Sequence, residues 1–292
     1  MVIKPRFVLT IHNNRRESVL LENRVILVTG STDGIGKQCA LELAKKGATV
    51  LLHGRNPLLG KTVLEQIKKA SQNDKIGLFV ADFASLKQVR RLATEILEKH
   101  TRLDVLVNNA GVYMHDRQLT EDGFEVTFGV NHLAPFLLTN LLLDMIKKSA
   151  PSKIVNVSSM VHQNARLDFH NLQGEKRFDA YDAYSLSKLG NLLFTYELAS
   201  RLHNSGVTVN ALHPGVIATK MLKAGFGSMG GRSVEDGAAR IEYLIETLGI
   251  ENVSGKYFVN DKEQTSSPHS RDEKFQKQFW ALSEKMVGLS KD

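Results

Sequence analysis

The most constraining feature of this chain is a regular alternation of short apolar runs with longer stretches of helical periodicity. The apolar runs lie at 25–29, 49–53, 76–81, 103–108, 153–158, 207–212 and near 256–259, with amphipathic stretches at 57–71, 84–99, 119–148 and 180–203. Most runs are continuously apolar, which is typical of parallel strands covered on both faces. The alternation predicts an α/β fold, an open, doubly wound parallel sheet of about seven strands in a single domain.

The domain organisation follows from the same pattern, because no repeat or linker interrupts it. We expect an N-terminal extension at 1–23, one nucleotide-binding and catalytic domain at 24–262, and a C-terminal helical tail at 263–292. The tail carries an apolar stripe of Phe275, Phe279, Leu282 and Met286. A stripe of this kind docks on another surface. Its own domain, a second subunit and a membrane surface are the alternatives, and a homodimer or homotetramer is left open.

Composition excludes several classes of protein. The formal net charge of +7 comes from lysines and arginines scattered among acidic residues, so we expect no nucleic-acid binding. Cys39 is the single cysteine, which excludes an internal disulfide and a cysteine-based metal cluster, and no metal site is predicted. No apolar run resembles a transmembrane segment or a secretory signal. We expect a cytoplasmic protein, with peripheral membrane association left open.

The first apolar run ends directly in a glycine-rich turn with the spacing Gly-x-x-x-Gly-x-Gly. Gly30 permits a tight turn, Gly34 lets the backbone approach a pyrophosphate, and Gly36 lets the helix pack close to the sheet. The helix that follows would present free N–H groups to the phosphates. A purely structural turn is the alternative. The predicted cofactor contacts in this turn are Gly30, Ser31, Thr32, Asp33, Gly34, Ile35 and Gly36.

The end of the second run bears on the choice between NAD and NADP. An acidic residue there would bind the ribose hydroxyls of NAD, but the sequence has Gly54 followed by Arg55. A guanidinium can bind a 2′-phosphate through two hydrogen bonds, so the sequence favours NADP(H). An exposed arginine in a turn is the alternative, and His53 is expected to be a packed strand residue.

Polar residues also follow the third and fourth runs. Asp82 could accept a hydrogen bond from the adenine amino group or cap the next helix. The segment 108–111 could shape the floor of the cofactor site or form a turn. The predicted cofactor contacts at the strand ends are Asn56, Asp82, Phe83, Asn109, Ala110 and Gly111.

A tyrosine and a lysine supply the candidate chemistry. Tyr184 and Lys188 are four residues apart in a helical stretch, so they share one face, and a nearby ammonium would lower the pKa of the phenol. Ser158 and Ser159 end the fifth run, where a hydroxyl could bind a substrate oxygen or cap the strand end. Asn131 is an amide in an apolar helical stretch and needs a hydrogen-bonded partner there.

These residues, in this order, resemble the short-chain dehydrogenase/reductase family, whose fold is Rossmann-like. The resemblance spans about residues 24–260 and is carried by 29–36, 108–111, Asn131, Ser159, Tyr184, Lys188 and 214–215. Within the family, the chain is most similar to the retinol-dehydrogenase-like subgroup, through 53–56, 171–175 and 184–189. Membrane-bound members of this subgroup carry an N-terminal hydrophobic anchor, and we expect none in this chain.

The resemblance implies a role for each catalytic residue. Tyr184 would be the general acid in reduction, Lys188 would lower its pKa and bind the nicotinamide ribose, Ser159 would hold the substrate oxygen, and Asn131 would place a water in the proton relay. It also implies cofactor contacts from Pro214, Gly215, Ile217 and Thr219. The expected activity is NADP(H)-dependent oxidoreduction of a carbonyl or alcohol.

The expected substrate is a small hydrophobic aldehyde or ketone. Apolar residues in the insert 160–183 and in the loop after Pro214 would form its pocket, while Arg166 and Arg177 keep a polar substrate open as an alternative. A non-catalytic nucleotide-binding regulator and a same-fold epimerase or dehydratase are the alternative functions. We do not expect a serine hydrolase, because the serine pair lacks the Gly-x-Ser-x-Gly motif.

Overall fold

A computed structural model describes residues 21–227 and 230–290 of the chain. Its centre is one eight-stranded sheet with the order β3-β2-β1-β4-β5-β6-β7-β8. The strands are β1 (Val25–Val28), β2 (Thr49–Gly54), β3 (Ile76–Val80), β4 (Val105–Asn108), β5 (Ser152–Val157), β6 (Val207–His213), β7 (Lys256–Val259) and β8 (Lys262–Glu263). The first seven strands are parallel, so the predicted doubly wound sheet is confirmed.

The eighth strand is an addition to the expected count of about seven. β8 pairs antiparallel with β7 across a two-residue turn of Asn260 and Asp261, whose φ angles are both positive, at 50° and 62°. Asparagine and aspartate tolerate this conformation, which type I′ hairpin turns require. β8 contains two exposed charged residues, Lys262 and Glu263, and therefore has no apolar pattern by which it could be recognised.

Within residues 21–227 and 230–290, nine helices connect and cover the strands. They are α1 (Gly34–Lys45), α2 (Pro57–Ser71), α3 (Leu86–Lys99), α4 (Ala134–Lys148), α5 (Ala180–Arg201), α6 (Lys220–Phe226), α7 (Val234–Glu246), α8 (Pro268–Arg271) and α9 (Glu273–Met286). The helical run that includes α4 begins with a short turn, Val126–Phe128, and a π-helical segment, Gly129–Leu133. Residues 119–125 were expected to be helical. They instead form a loop closed by a bridge between Leu119 and Glu125.

Two layers of core lie on the two faces of the sheet. Along β1, Val25 and Leu27 belong to one core, while Ile26 and Val28 belong to the other. This is the alternation expected of a strand buried on both sides. The first core includes side chains of α3, α4, α5 and α9, and the second includes those of α1, α2 and α7.

The C-terminal helix α9 lies on the same domain, against α5. Phe279 and Trp280 are buried there, and the Trp280 ring lies 4.8 Å from that of Phe136. Of the predicted stripe, Phe275, Leu282 and Met286 are only partly buried. At the other end of the chain, Leu21 is buried, and residues 1–20 of the expected N-terminal extension lie outside the described residues.

One helical run in the described part of the chain, Val126–Lys148, has the length and mean hydropathy of a membrane span. The sequence analysis predicts no such segment. Its most apolar window is 78% buried inside the domain. The run is therefore weak evidence for membrane insertion, because a core helix has the same composition.

Candidate functional site

The glycine-rich turn between β1 and α1 leaves no room for a side chain at two of its three glycines, Gly30 and Gly36. Gly30 and Gly34 have positive φ angles of 64° and 54°. A Cβ on Gly30 would lie 2.8 Å from the Ala110 Cα, and one on Gly36 would lie 2.4 Å from both the Gly30 carbonyl oxygen and the Asn109 Nδ2. Both positions therefore require glycine, and the backbone of the turn stays open towards the carboxyl ends of the strands.

Buried side chains on neighbouring strands hold this turn in place. The Thr29 hydroxyl accepts hydrogen bonds from the Asn109 and Ala110 N–H groups, at 2.9 and 3.0 Å, and the Asn109 side chain donates to the Thr29 carbonyl at 2.9 Å. From β2, His53 Nδ1 accepts from the Gly30 N–H at 3.2 Å, and the His53 N–H donates to the Ser31 hydroxyl at 2.9 Å. The turn is therefore preorganised.

His53 plays a larger part than a packed strand residue would. Its Nε2 lies 3.1 Å from the Ala81 carbonyl, which requires a donor there, while its Nδ1 accepts from Gly30. The imidazole is thus neutral, and burial lowers its pKa to about 4. The ring stacks on Phe83 with centroids 4.2 Å apart, so Phe83 supports the turn from within the domain.

The end of β2 has no space for an acidic side chain. A Cβ on Gly54 would lie 2.4 Å from the Thr32 methyl carbon. Arg55 follows and is exposed. The Asn56 Oδ1 accepts from the N–H groups of Leu58 and Leu59, both at 3.0 Å, so this side chain caps α2.

At the ends of β3 and β4, the predicted residues have structural partners. Asp82 accepts from the Ala84 N–H at 2.9 Å, which forms a local turn before α3, and Ser85 is the residue that precedes that helix. A Cβ on Gly111 would lie 3.2 Å from the Asn131 Oδ1 and 3.4 Å from the Met221 methyl carbon. Gly111 therefore lies next to the catalytic candidates.

Tyr184 and Lys188 lie on one face of α5, as expected from their spacing. The Lys188 ammonium is 5.5 Å from the centroid of the Tyr184 ring and donates to the Val157 carbonyl at 3.1 Å. Burial lowers the pKa of Lys188 to about 8. Burial also raises the pKa of the Tyr184 phenol above its ordinary value, whereas the sequence suggested a lowered one. Desolvation of the phenolate dominates in this arrangement.

The two serines after β5 have different environments. The Ser158 hydroxyl is buried and donates to the Lys188 carbonyl at 2.8 Å. The Ser159 hydroxyl is partly exposed and has one weak partner, the Val161 N–H at 3.4 Å. Ser159 is therefore the serine whose hydroxyl can bind another molecule.

Asn131 lies in the π-helical segment before α4, and both polar atoms of its side chain have hydrogen-bond partners. Its Oδ1 accepts from the Val112 N–H at 2.7 Å, and its Nδ2 donates to the Val112 carbonyl and to the Ser187 hydroxyl, both at 3.0 Å. Ser187 in turn donates to the Tyr184 carbonyl at 2.7 Å. Asn131 thus links the segment after β4 to the helix that carries the tyrosine.

The loop after β6 crosses over the glycine-rich turn. Pro214 and Gly215, with φ of 100°, begin this loop, and the Ile217 side chain is buried. The Thr219 methyl carbon would lie 3.3 Å from a Cβ on Gly34, while its hydroxyl accepts from the Leu222 N–H and caps α6. Both segments that were expected to bind the cofactor therefore lie side by side.

An ion pair joins these two segments. The Lys220 ammonium lies 2.8 Å from Asp33, and it holds the pKa of that carboxyl below its usual range. The Asp33 carboxylate also accepts from the Gly34 N–H, so it caps α1. Ile35 packs towards α7, because a Cβ on Gly237 would lie 2.9 Å from its side chain.

A methionine and two aromatic side chains lie next to Tyr184. Its hydroxyl donates to the Met221 sulfur at 3.5 Å, and the rings of Tyr113 and Phe226 lie 5.5 and 6.3 Å from the Tyr184 ring. In the insert, by contrast, Leu167 and Phe169 pack against the core and Leu172 is buried. These three residues hold the insert on the domain, and the part of the expected pocket that lies beside Tyr184 comes from the loop after Pro214.

Sequence reasoning missed three supports of the site, His162, His213 and Ser187. His162 lies three residues after Ser159 and His213 directly precedes Pro214, and these positions next to expected site residues were the available signal.

Among residues 21–227 and 230–290, no group of three or more histidine, cysteine, aspartate or glutamate side chains could hold a metal ion.

Comparisons with known proteins agree on one family. The family model described as short chain dehydrogenase matches residues 24–226. Retinol dehydrogenase 13 from Mus musculus is 42% identical over 285 residues, covering 92% of this chain and 85% of the relative. Retinol dehydrogenase 12 from Homo sapiens is 39% identical over 282 residues, covering 94% of this chain and 89% of the relative.

Solved structures give the same result. An uncharacterised protein from Mycobacterium paratuberculosis is 30% identical, with a TM-score of 0.77 and coverage of 92% of this chain and 94% of that one. A short chain dehydrogenase from Shigella flexneri, solved in complex with NADP, is 27% identical, with a TM-score of 0.69 and coverage of 82% and 97%. The chain therefore belongs to the short-chain dehydrogenase family and is a retinol-dehydrogenase-like oxidoreductase.

Proposed function

We propose that this protein uses NADP(H) to reduce the carbonyl of a hydrophobic aldehyde or ketone, or to oxidise the corresponding alcohol. The observation that carries the proposal is the position of the Tyr184 hydroxyl. It donates to the Met221 sulfur, and the Tyr184 ring lies near the rings of Tyr113 and Phe226, on the helix face that also carries the buried Lys188. A proton donor in apolar surroundings suits a carbonyl with an apolar substituent.

The residues at the carboxyl ends of the strands fit a dinucleotide. The turn at Gly30 and Gly36 has no space for a Cβ, and its backbone opens at the start of α1, where a pyrophosphate can bind N–H groups. The glycine-rich turn, Asn109, Ala110, Gly111 and the loop from Pro214 to Thr219 would hold the cofactor. When bound, the nicotinamide supplies or accepts the hydride.

A preference for NADP(H) is supported by the end of β2. The exposed Arg55 guanidinium can bind a 2′-phosphate, while Gly54 excludes the carboxylate that would bind the ribose of NAD. Short chain dehydrogenases from Shigella flexneri and Escherichia coli, both 27% identical to this chain, were solved with NADP and NADPH respectively.

We assign the proton chemistry to four residues. Tyr184 donates the proton to the carbonyl oxygen during reduction, and Ser159 donates a hydrogen bond to the same oxygen. The Lys188 ammonium stabilises the phenolate that remains, because a positive charge near a phenolate favours it. Asn131 holds the Tyr184 helix and the Val112 backbone together. Both of its amide hydrogens have partners, so a water in the proton relay would bind an oxygen of Asn131.

A chain-length series of linear aldehydes with NADPH tests the substrate class. Each buried methylene should increase kcat/KM by up to about fourfold, equivalent to about 0.8 kcal/mol, until the pocket is full. Met221→Ser should flatten the series, because it places a polar group beside the Tyr184 hydroxyl. Leu58→Ser, at an exposed position of α2, is the control. A flat wild-type series, or a short charged substrate as the best one, would refute the proposal.

A same-fold epimerase or dehydratase is the remaining alternative, since a tyrosine–lysine pair also suits proton abstraction. The cofactor balance separates the two. A dehydrogenase oxidises one NADPH for each carbonyl reduced, whereas an epimerase leaves the total NADPH unchanged. The apolar surroundings of Tyr184 favour the dehydrogenase.

A further inference from the structure

The peptide group that follows Ser159 is held at both ends by buried imidazoles. The Ser159 carbonyl lies 2.6 Å from His162 Nδ1, and the Met160 N–H donates to His213 Nδ1 at 3.4 Å. His162 is 1% exposed and His213 is 8% exposed. The Ser159 carbonyl also accepts from the His162 backbone N–H, at 3.3 Å. Of the two imidazole contacts the first is short and the second is long, so the His162 ring is the principal side-chain support of this peptide.

The far side of His162 contacts the C-terminal part of the chain. Its Nε2 accepts from the Ser267 N–H at 3.1 Å. The Ser159 carbonyl needs a donor at Nδ1, and the Ser267 N–H needs an acceptor at Nε2. The neutral ring with its proton on Nδ1 is the tautomer that satisfies both bonds. The Tyr257 ring lies edge-on at 5.0 Å and fixes the ring plane.

Ser267 itself belongs to a buried network of hydroxyl groups, and its own hydroxyl donates to that of Ser270 at 3.2 Å. The Ser266 hydroxyl contacts those of Tyr196 and Ser270, at 2.7 and 2.8 Å. The Ser270 carbonyl accepts from the Gln276 side chain of α9 at 2.8 Å. This segment lies after residue 226, where the match to the short chain dehydrogenase family model ends. The contact to the serine therefore comes from a part of the chain outside that shared region.

We infer that His162 is a positioning residue, which transmits the placement of the 264–276 segment to Ser159 and so orients its hydroxyl towards the substrate oxygen. The inference rests on the proposed role of Ser159. Among the described residues, the Ser159 hydroxyl has one weak partner, the Val161 N–H, so the backbone sets its direction. A small misplacement of such a group reduces the rate of the chemical step, while cofactor binding is unaffected.

Two conservative variants separate the two bonds of His162. His162→Asn places an amide donor near the position of Nδ1 and keeps the bond to the Ser159 carbonyl. His162→Gln places an acceptor near the position of Nε2 and keeps the bond to the Ser267 N–H. We expect His162→Gln to lower kcat about tenfold, the value of one buried hydrogen bond, and His162→Asn to lower it less. The Kd for NADPH should change less than twofold in both.

A double-mutant cycle gives the decisive comparison. In a Ser159→Ala background, His162→Gln should lower kcat by less than twofold, because the hydroxyl that it positions is gone. His203→Gln, at an exposed histidine, is the matched control and should leave kcat unchanged. An equal loss in both backgrounds, or an equal weakening of NADPH binding, would overturn the role of His162.

Failure of the proposed function would look different. It would appear as absent turnover in the wild-type protein itself, with any carbonyl substrate. The tautomer of His162 can then still be measured by ¹⁵N NMR of labelled histidine. We expect the proton on Nδ1, and a proton on Nε2 would overturn the inference independently of turnover.

Discussion

The contact between Gly54 and Thr32 makes the cofactor preference of this protein difficult to change by a single substitution. In many dinucleotide-binding folds, an acidic residue at the end of the second strand selects NAD. Here a Cβ at position 54 would lie 2.4 Å from the Thr32 methyl carbon, about 1 Å closer than an ordinary contact. Overpacking of this kind costs about 1–3 kcal/mol. Gly54→Asp therefore displaces the glycine-rich turn that both cofactors need.

We expect Gly54→Asp to weaken NADPH binding about ten- to a hundredfold, with no gain in NADH affinity. Adding Thr32→Ala should restore NADH binding. The closest contact is then the Thr32 Cβ at 3.2 Å, which requires a shift of only a few tenths of an ångström. Isothermal titration of both cofactors into the single and double variants measures this difference.

Two controls separate charge from packing. Thr32→Ala alone should leave the Kd for NADPH within about threefold of wild type, since it removes no charged contact. Arg55→Ala should weaken NADPH about ten- to a hundredfold and leave NADH unchanged, because only NADPH carries the 2′-phosphate. If Gly54→Asp alone bound NADH as tightly as the double variant, the steric reasoning would be wrong.

Two further predictions concern pH. Burial of Asp104 acts to raise its pKa, but hydrogen bonds from Arg102, the Val25 N–H and Arg24 outweigh it and hold the pKa below 3.8. Its contribution to stability is therefore present above pH 4 and lost as pH falls further. Asp104→Asn should lower the free energy of unfolding by about 1.5–3 kcal/mol at pH 7. It should also weaken the loss of stability below pH 4, measured by urea unfolding at each pH, and an unchanged pH dependence would contradict this. Burial lowers the pKa of Lys188 to about 8, so its charge is lost as pH rises through that value. The kcat for reduction should therefore fall above about pH 8, and Lys188→Arg should move this fall to higher pH. If the wild-type kcat did not change up to pH 10, the role assigned to Lys188 would be excluded.

The sheet could be predicted from the sequence because its strands are buried on both faces and read as continuous apolar runs. β8 could not, since Lys262 and Glu263 are exposed and depend on the turn before them. Residues 119–125 were expected to be helical, but their conformation is set by the bridge between Leu119 and Glu125 and by the capping of the next turn by the Glu125 carboxylate. Local periodicity does not record these contacts.

The candidate site shows the same division. Tyr184 and Lys188 could be paired from their spacing, because four residues is one helical turn. The roles of His53 and His162 could not be predicted, since each depends on partners far along the chain, Ala81 for one and Ser267 for the other. The sequence also suggested that the ammonium would dominate the pKa of the phenol. It could not show that the phenol is buried, and burial acts in the opposite direction.

The central claim is that Tyr184 donates the proton in an NADPH-dependent carbonyl reduction. The most direct test is the NADPH oxidation rate of Tyr184→Phe at saturating aldehyde, together with its Kd for NADPH. This variant removes only the hydroxyl, so we predict turnover at least about a hundredfold below wild type, the usual contribution of a general acid, and a Kd within about threefold. Near-normal turnover in Tyr184→Phe would contradict the account.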